Sequence, residues 1–430
     1  MFVNNSVFDS KDYKRSRMAY ALQQTIEYLV LLMVADAFLA KILTHIGISD
    51  STIGIISTFV SMAMFIQIGS IVISGTKISS KKISAVCLTL SQVLFALVYV
   101  VPFVPINSGI KKILSIVFIF FAYALMNIVW PITYKWGYKF VSGTTRARYS
   151  ATKEIISLGA GIIFTLISGY VFDKLESAGN ISGAFLCMAI SMAVLSICNL
   201  ICVLSMNEEP VDEIVVQKKK LRDIMKNTFG NSGFNKCVFA ISMWEFAKYF
   251  LVGFMGTFKT NDLVISISLI QVINMIASGA RIFVSRQIAK FSDKHGYAAG
   301  FQLGLAIAAV AFLVNVFTTK STWFLVIIYT ILYYMGYAGI NANSYNILYS
   351  YVDNNYISEA LAIKNCVAGV TGFASALVAG KLLSFIQENG NNFIGLHIFG
   401  QQFLSAVAFV ITVFVLLYIK FVLSKEKTIK

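Results

Sequence analysis

Long apolar runs follow one another along almost the whole chain, and each is about as long as a helix that crosses a lipid bilayer. Only 13% of the 430 residues are charged, against about 25% in soluble domains. Backbone groups in lipid must be satisfied within the protein, which favours helices. A β-barrel would need short strands in which apolar and polar residues alternate, and these runs do not show that alternation. The sequence therefore predicts an all-α integral membrane protein.

Twelve such runs can be delimited, and we number them spans 1 to 12. Their predicted bounds are 18–43, 51–74, 83–104, 113–138, 151–172, 183–206, 237–258, 263–288, 297–318, 322–349, 360–386 and 396–423. The one long connector, 207–236, is charged and predicts a short amphipathic helix at the membrane surface. It divides the chain into two six-helix bundles, 1–206 and 237–430.

Basic residues predict the orientation of the spans. The net charge is +15, and Lys and Arg collect in the cytoplasmic loops of membrane proteins. With the N-terminus inside, the cytoplasmic ends hold most of these residues, and the opposite topology reverses the bias. We therefore expect a protein of the cell membrane with both termini in the cytoplasm. The positive charge is interpreted as topological, so we expect no nucleic-acid partner.

Catalytic and metal-binding constellations are not visible in the sequence. The six cysteines and three histidines lack metal-ligand spacing, and there is neither a Walker sequence nor a nucleophile–base set. We expect no enzyme activity, no metal and no cofactor.

The two halves repeat one another. At one fixed offset the aligned pairs are Tyr123 and Tyr334, Tyr134 and Tyr345, Tyr138 and Tyr349, Lys153 and Lys364, Gly161 and Gly372, and Gly169 and Gly380. Glu27 falls opposite Glu245 at a slightly different offset. A gapless series across two spans and their loop indicates duplication, and parallel repeats of six spans occur in transporters.

The loop between spans 8 and 9 carries the most specific motif. It reads AKFSDKHGY and resembles the major facilitator superfamily motif Gly-x-x-x-Asp-Arg/Lys-x-Gly-Arg/Lys through Asp293, Lys294 and Gly296. Ala289 replaces the first Gly, and in the equivalent loop between spans 2 and 3 Ser79 replaces the Asp. The chain resembles this family over nearly its whole length, in particular a little-characterised branch found in Gram-positive bacteria.

This resemblance implies two pseudo-symmetric six-helix bundles that rock about a central substrate site, with spans 1, 4, 7 and 10 lining the cavity. The proline-containing motif of the family's antiporters is absent from span 5, so the direction of transport stays open. Glycines of spans 5 and 11 predict close helix packing, and they are Gly159, Gly161, Gly169, Gly369, Gly372 and Gly380.

Charged residues in spans 1 and 7 are the candidates for proton coupling, since charges inside a membrane are costly and usually mark a pathway or a pair. Gln24 and Glu27 lie on the polar face of span 1. The alternative role of Glu27 is a structural salt bridge to Lys153. Glu245 is the second candidate, and its alternative is a pair with Lys248 one turn later.

Spans 4 and 10 carry polar and aromatic stripes that are candidates for contact with substrate. The residues are Tyr123, Asn127, Trp130 and Tyr134 in span 4, and Tyr334, Asn341 and Tyr345 in span 10, with Asn343 as a second-rank candidate. Helix packing is the alternative role. Such stripes suit sugars, nucleosides and amphipathic drugs alike, so the chemical class of the substrate stays open.

Two sets of opposite charges predict a cytoplasmic gate, given the family's loop positions. The first set joins Asp293, beside Lys294 and Gly296, to Arg146 and Arg148. In the second set the charges are swapped, and it joins Lys77 and Lys81 to Asp353 and Glu359.

We therefore expect a secondary active transporter that moves a small solute by alternating access, coupled to protons through Glu27 or Glu245. Multidrug efflux, uncoupled diffusion and a non-transporting receptor or scaffold are the alternatives. The expected partners are the solute, protons and the lipid bilayer, and we expect a monomer.

Overall fold

The computed structural model describes residues 10–67, 79–142, 145–208, 229–352, 357–393 and 396–425. The backbone there is almost entirely helical, and a pair of two-residue strands, Asn392–Phe393 and Leu396–His397, precedes span 12. Ten of the described helices are long and apolar enough to cross a membrane. These are spans 3 to 12, so the predicted all-α membrane architecture is confirmed.

Spans 3 to 12 keep the predicted order, with some shifted ends. Their helices are Ser80–Val100, Ser108–Lys139, Arg146–Ser177, Ile181–Ser205, Ser232–Leu251, Ile267–His295, Tyr297–Val316, Leu325–Tyr349, Ile357–Glu388 and Gly400–Phe421. Span 7 continues through short 3-10, α and π turns to Asp262. The predicted start of span 12 at 396 is wrong, because that position belongs to the strand pair.

Spans 1 and 2 are each broken into two helices, which the sequence did not predict. Span 1 comprises Lys11–Met33 and Asp36–His45, and span 2 comprises Asp50–Ser57 and Phe59–Ile66. At the first break Asp36 has a φ of 48°, a left-handed conformation that costs a non-glycine residue about 1–3 kcal/mol. The expectation of two uninterrupted helices is therefore wrong.

Polar side chains in the loops determine where several helices begin. Ser10, Asn107, Asn180 and Asn231 each accept a hydrogen bond from a backbone N–H in the first turn of the helix that follows. These N–H groups have no partner within the helix, so the caps stabilise spans 1, 4, 6 and 7. Gly296 connects spans 8 and 9 with a φ of 91°, a conformation that glycine adopts without strain.

The described chain forms two compact units. Unit 1 holds the described residues from 10 to 48 and from 66 to 208, with Ser266–Gln271. Unit 2 holds Ser49–Phe65 and the described residues from 229 to 265 and from 272 onward. The division at 1–206 and 237–430 stays a prediction, and residues 209–228 of the connector, with their expected surface helix, lie outside the described residues.

Unit 1 has an apolar core where spans 1, 3, 4 and 6 meet. The core residues include Tyr20, Leu88, Trp136, Phe140 and Val203, all at most 3% exposed. Ser84 and Thr133 exchange a hydrogen bond of 2.8 Å beside this core, joining spans 3 and 4. This hydrogen bond holds span 3 against span 4.

Glycines allow spans 2 and 11 to approach closely within unit 2. A methyl group at Gly369 would lie 2.6 Å from the carbonyl oxygen of Ser61, and one at Gly380 would lie 2.7 Å from Ile55. The Ser61 hydroxyl donates to the Gly369 carbonyl at 3.1 Å. The packing expected for the glycines of span 11 is observed, whereas Gly159 in span 5 has open space beside it.

Candidate substrate and coupling site

Three polar side chains on one face of span 1 form a hydrogen-bonded group. Glu27 is 7% exposed, and its carboxylate accepts hydrogen bonds from Gln23 Nε2 at 2.8 Å and Gln24 Nε2 at 3.1 Å. Helical spacing places the three on one face, and burial between spans excludes most water from them. Within the described part of the chain, Glu27 has no cation within 4 Å. The alternative of a salt bridge to Lys153 is therefore not observed.

Lys153 of span 5 lies among tyrosines instead. Its ammonium is 5.0 Å from the ring centroid of Tyr20, 5.6 Å from that of Tyr138 and 6.0 Å from that of Tyr134. It also approaches Gln24 Oε1 at 3.4 Å. Rings attract cations through their negative faces, so spans 1 and 4 form an aromatic surround for this charge.

The stripe of span 4 divides into a packed end and an open end. Tyr123 is 5% exposed, lies 4.9 Å from the Phe95 ring and donates to the Val34 carbonyl at 3.4 Å, so it serves packing. Asn127 is half-buried and donates to the Tyr123 carbonyl at 3.0 Å. Trp130 and Tyr134 stack at 5.2 Å and are each 41% exposed. Only the open end presents faces that a solute could contact.

The second candidate carboxylate, that of Glu245, forms an ion pair within span 7. Glu245 and Lys248 form a salt bridge in which both side chains are mostly buried, as their spacing predicted. Lys248 also lies 4.3 Å from the Tyr249 ring and 5.7 Å from the Tyr337 ring. Glu245 is therefore already neutralised by a neighbour on its own helix, in contrast to Glu27.

Two further cations contact tyrosines of span 10. Lys364 of span 11 lies 4.2 Å from the centroid of Tyr345, and Arg281 of span 8 lies 5.4 Å from that of Tyr337. The Lys364–Tyr345 contact repeats the Lys153–Tyr134 contact at the offset of the duplication. Sequence reasoning aligned the two lysines and considered Lys153 as a partner of Glu27, but it assigned no role to Lys364, and no sequence signal pointed to Arg281 or Tyr337.

The other candidates of span 10 lie in different surroundings. Tyr334 and Asn341 are half-buried, and the Tyr334 ring lies 6.1 Å from that of Tyr333. Asn343 is 2% exposed and donates to the Gly339 carbonyl at 2.8 Å. A methyl group at Gly300 would lie 2.8 Å from Asn343, so this residue packs against span 9.

The described residues hold one partner of each predicted gate contact. Asp293 and Lys294 are exposed at the end of span 8, next to Gly296. Lys81 donates to the Met206 carbonyl at 2.9 Å, at the end of span 6. The gate stays a hypothesis, because the remaining side chains that it needs lie outside the described part of the structure, namely Lys77, Arg146, Arg148, Asp353 and Glu359.

Comparison with known proteins identifies the family. The Major Facilitator Superfamily matches residues 20–375 of the sequence. No match to the chain was found among curated proteins.

Several solved transporters share the fold. The nucleoside transporter NupG superimposes with a TM-score of 0.72 at 12% identity, covering 97% of this chain and 100% of its own. A D-xylose-proton symporter gives 0.68 at 14% identity, with 94% and 97% covered. A bacterial homolog of the human lysosomal transporter Spinster, in an inward-facing and unoccupied conformation, gives 0.67 at 16% identity, with 95% and 97% covered. Since the family match covers most of a chain that has the fold of these proteins, the chain belongs to the Major Facilitator Superfamily and is a multi-pass membrane transporter rather than an enzyme.

Proposed function

We propose that this transporter couples the movement of a small solute to a proton gradient, with Glu27 as the proton-binding group. It works in the cell membrane by alternating access. The supporting observation is that Glu27 is a buried carboxylate whose described partners are amides rather than cations.

The energetics of burial favour this role for Glu27 over Glu245. An ionised carboxylate away from water is costly unless a cation is beside it, and binding a proton removes that cost. Glu245 has its cation in Lys248, so it gains little from a proton. Among the described residues, the groups that donate to Glu27 are the side-chain amides of Gln23 and Gln24, which can donate to the carboxylate or to the neutral acid. We therefore expect a proton gradient to control the protonation of Glu27 rather than that of Glu245.

Glu27→Gln tests the proposal. Glutamine has the shape of the protonated acid and keeps an oxygen that accepts from Gln23 and Gln24, so the protein should fold. In proteoliposomes we expect loss of accumulation driven by an imposed proton gradient, with exchange of solute across the membrane retained. Solutes come from a transport screen of the parent protein.

The matched control is Glu154→Gln on span 5, which removes an exposed carboxylate. It should leave gradient-driven accumulation unchanged. Accumulation by Glu27→Gln equal to that of the parent would reject proton coupling through this residue.

Efflux of amphipathic compounds is the second candidate function. It is favoured by the stacked rings of Trp130 and Tyr134, each 41% exposed, because flat apolar ring faces suit amphipathic compounds of varied shape. Cells that overproduce the protein would then accumulate less of a fluorescent cationic dye than cells that lack it. Equal accumulation in the two strains argues against this candidate.

A further inference from the structure

Three cations of unit 2 lie close to tyrosine rings of spans 7 and 10. Lys248, Arg281 and Lys364 all lie within 6 Å of the ring of Tyr249, Tyr337 or Tyr345. Glu245 is the carboxylate among them, and Lys248 binds it. Two other carboxylates of this unit, Asp50 and Asp262, accept from the amides of Asn261, Gln387 and Gln401, and those of Asp293 and Glu388 are exposed at the ends of spans 8 and 11. Among the described residues, neither Arg281 nor Lys364 has a carboxylate within 4 Å.

Lys364 is the more deeply buried of these two cations. It is 6% exposed, and among the described residues its ammonium has no carboxylate within 4 Å and no hydrogen-bond acceptor. A charge held inside a membrane protein needs a partner, and a ring face replaces only part of the lost hydration. Lys364 is therefore a buried cation whose described surroundings supply no negative group within 4 Å.

Unit 1 provides an internal comparison for this cation. Lys153 occupies the repeated position, but it approaches the amide oxygen of Gln24, and the carboxylate of Glu27 lies on the same polar face. The duplication thus preserved a lysine over a tyrosine in both units. Among the described residues, Lys153 has an amide oxygen within 3.5 Å, whereas Lys364 has no such acceptor, and the carboxylate of Glu245 is already paired with Lys248.

We infer that the transported solute is a small organic anion, whose carboxylate or phosphate group binds Lys364 while its body lies against Tyr345. Tyr345 is 37% exposed, so its ring is open to such a contact. This inference rests on the proposed transport function and specifies its substrate class. An uncharged sugar or nucleoside would leave the cation of Lys364 without a partner.

Thermal unfolding of the purified full-length protein tests the inference. The probes are benzoate, succinate and glucose 6-phosphate, compared with benzamide, succinamide and glucose at equal ionic strength. We expect at least one anion to raise the unfolding temperature while its uncharged counterpart does not. In Lys364→Met the apparent affinity for that anion should fall at least tenfold, and Lys364→Arg, which keeps the charge, should retain most of it.

The matched control is Lys420→Met, which removes another lysine close to a ring, Phe421, at an exposed position of span 12. It should leave the anion effect unchanged. The inference is overturned if no anion stabilises the parent protein more than it stabilises Lys364→Met, or if the uncharged compounds stabilise equally well. If Lys364→Met does not fold, loss of the anion effect in Lys364→Gln but not in Lys364→Arg decides. The proton experiment on Glu27 is scored separately, so either proposal can fail alone.

Discussion

At the scale of single residues, the two acidic side chains of spans 1 and 7 differ in what neutralises them. Glu245 has Lys248 one turn away, and the ammonium is also covered by the Tyr249 ring. A buried pair of this kind is a weak net stabiliser, but removing one partner leaves the other charge uncompensated. The stabilising effect of the pair should therefore be seen when one partner is removed and the other is kept.

Lys248→Met should lower the free energy of unfolding by about 3–5 kcal/mol, because Glu245 is left as a buried unpaired charge. The double variant Glu245→Gln/Lys248→Met should recover most of this loss. Chemical unfolding in detergent measures both.

The Lys41–Glu176 pair is the control, since its partners are 23% and 33% exposed at 2.8 Å. Replacing Lys41 by Met should change the free energy of unfolding by about 0–1 kcal/mol. Additive losses at Glu245 and Lys248 would show that the two charges act independently.

The sequence could predict the Glu245–Lys248 pair because residues one turn apart on a helix always face the same side. It could not predict that Lys364 lies over Tyr345, since that contact depends on how spans 10 and 11 rotate about their own axes. Nor could spacing show that Tyr123 packs while Trp130, seven residues later on the same stripe, stays open.

At the scale of elements, span 5 ends in a contact with the start of span 8. The Asp173 carboxylate accepts hydrogen bonds from the backbone N–H of Ile267 at 3.1 Å and of Ser268 at 2.8 Å. It thus caps a helix from a position 94 residues earlier in the chain. A methyl group at Gly169 would lie 3.1 Å from the Ser268 Cα, so glycine permits this approach. The predicted topology places this contact at the external face.

Asp173→Ala should weaken the attachment of span 5 to span 8 by about 1 kcal/mol, the usual value of a lost N-cap. Spin labels at the external ends of the two spans should then report a larger fraction of long distances. Asp173→Asn keeps one acceptor oxygen and should lie between the alanine variant and the parent. Identical distance distributions in all three proteins would rule out a role for the cap.

The number and order of the spans followed from the sequence because a bilayer imposes one length and one backbone form on each crossing. The breaks in spans 1 and 2 could not be predicted from the sequence. They depend on local backbone angles such as the φ of 48° at Asp36, which hydropathy does not encode.

At the scale of the whole molecule, the distribution of Lys and Arg makes a prediction about orientation. Moving clusters of basic residues across the membrane during insertion is unfavourable, so the charged loops should stay inside. A reporter that is active only in the cytoplasm should therefore be active when fused after Lys430. The same reporter fused between spans 1 and 2, at Gly47, should be inactive. The reverse result would invert the topology and place the Asp173 cap on the cytoplasmic side.

The close packing of span 2 on span 11 has a consequence for how the chain is made. Ser61 and Gly369 are joined although 308 residues separate them. At about 5–20 residues per second, a ribosome needs roughly 15 to 60 s to supply the second partner after the first. During that interval span 2 is already in the membrane, and lipid or the insertion machinery must cover the surface that later receives Gly369 and Gly380. Slowed synthesis of the second half should therefore expose newly made chains to membrane proteases for longer.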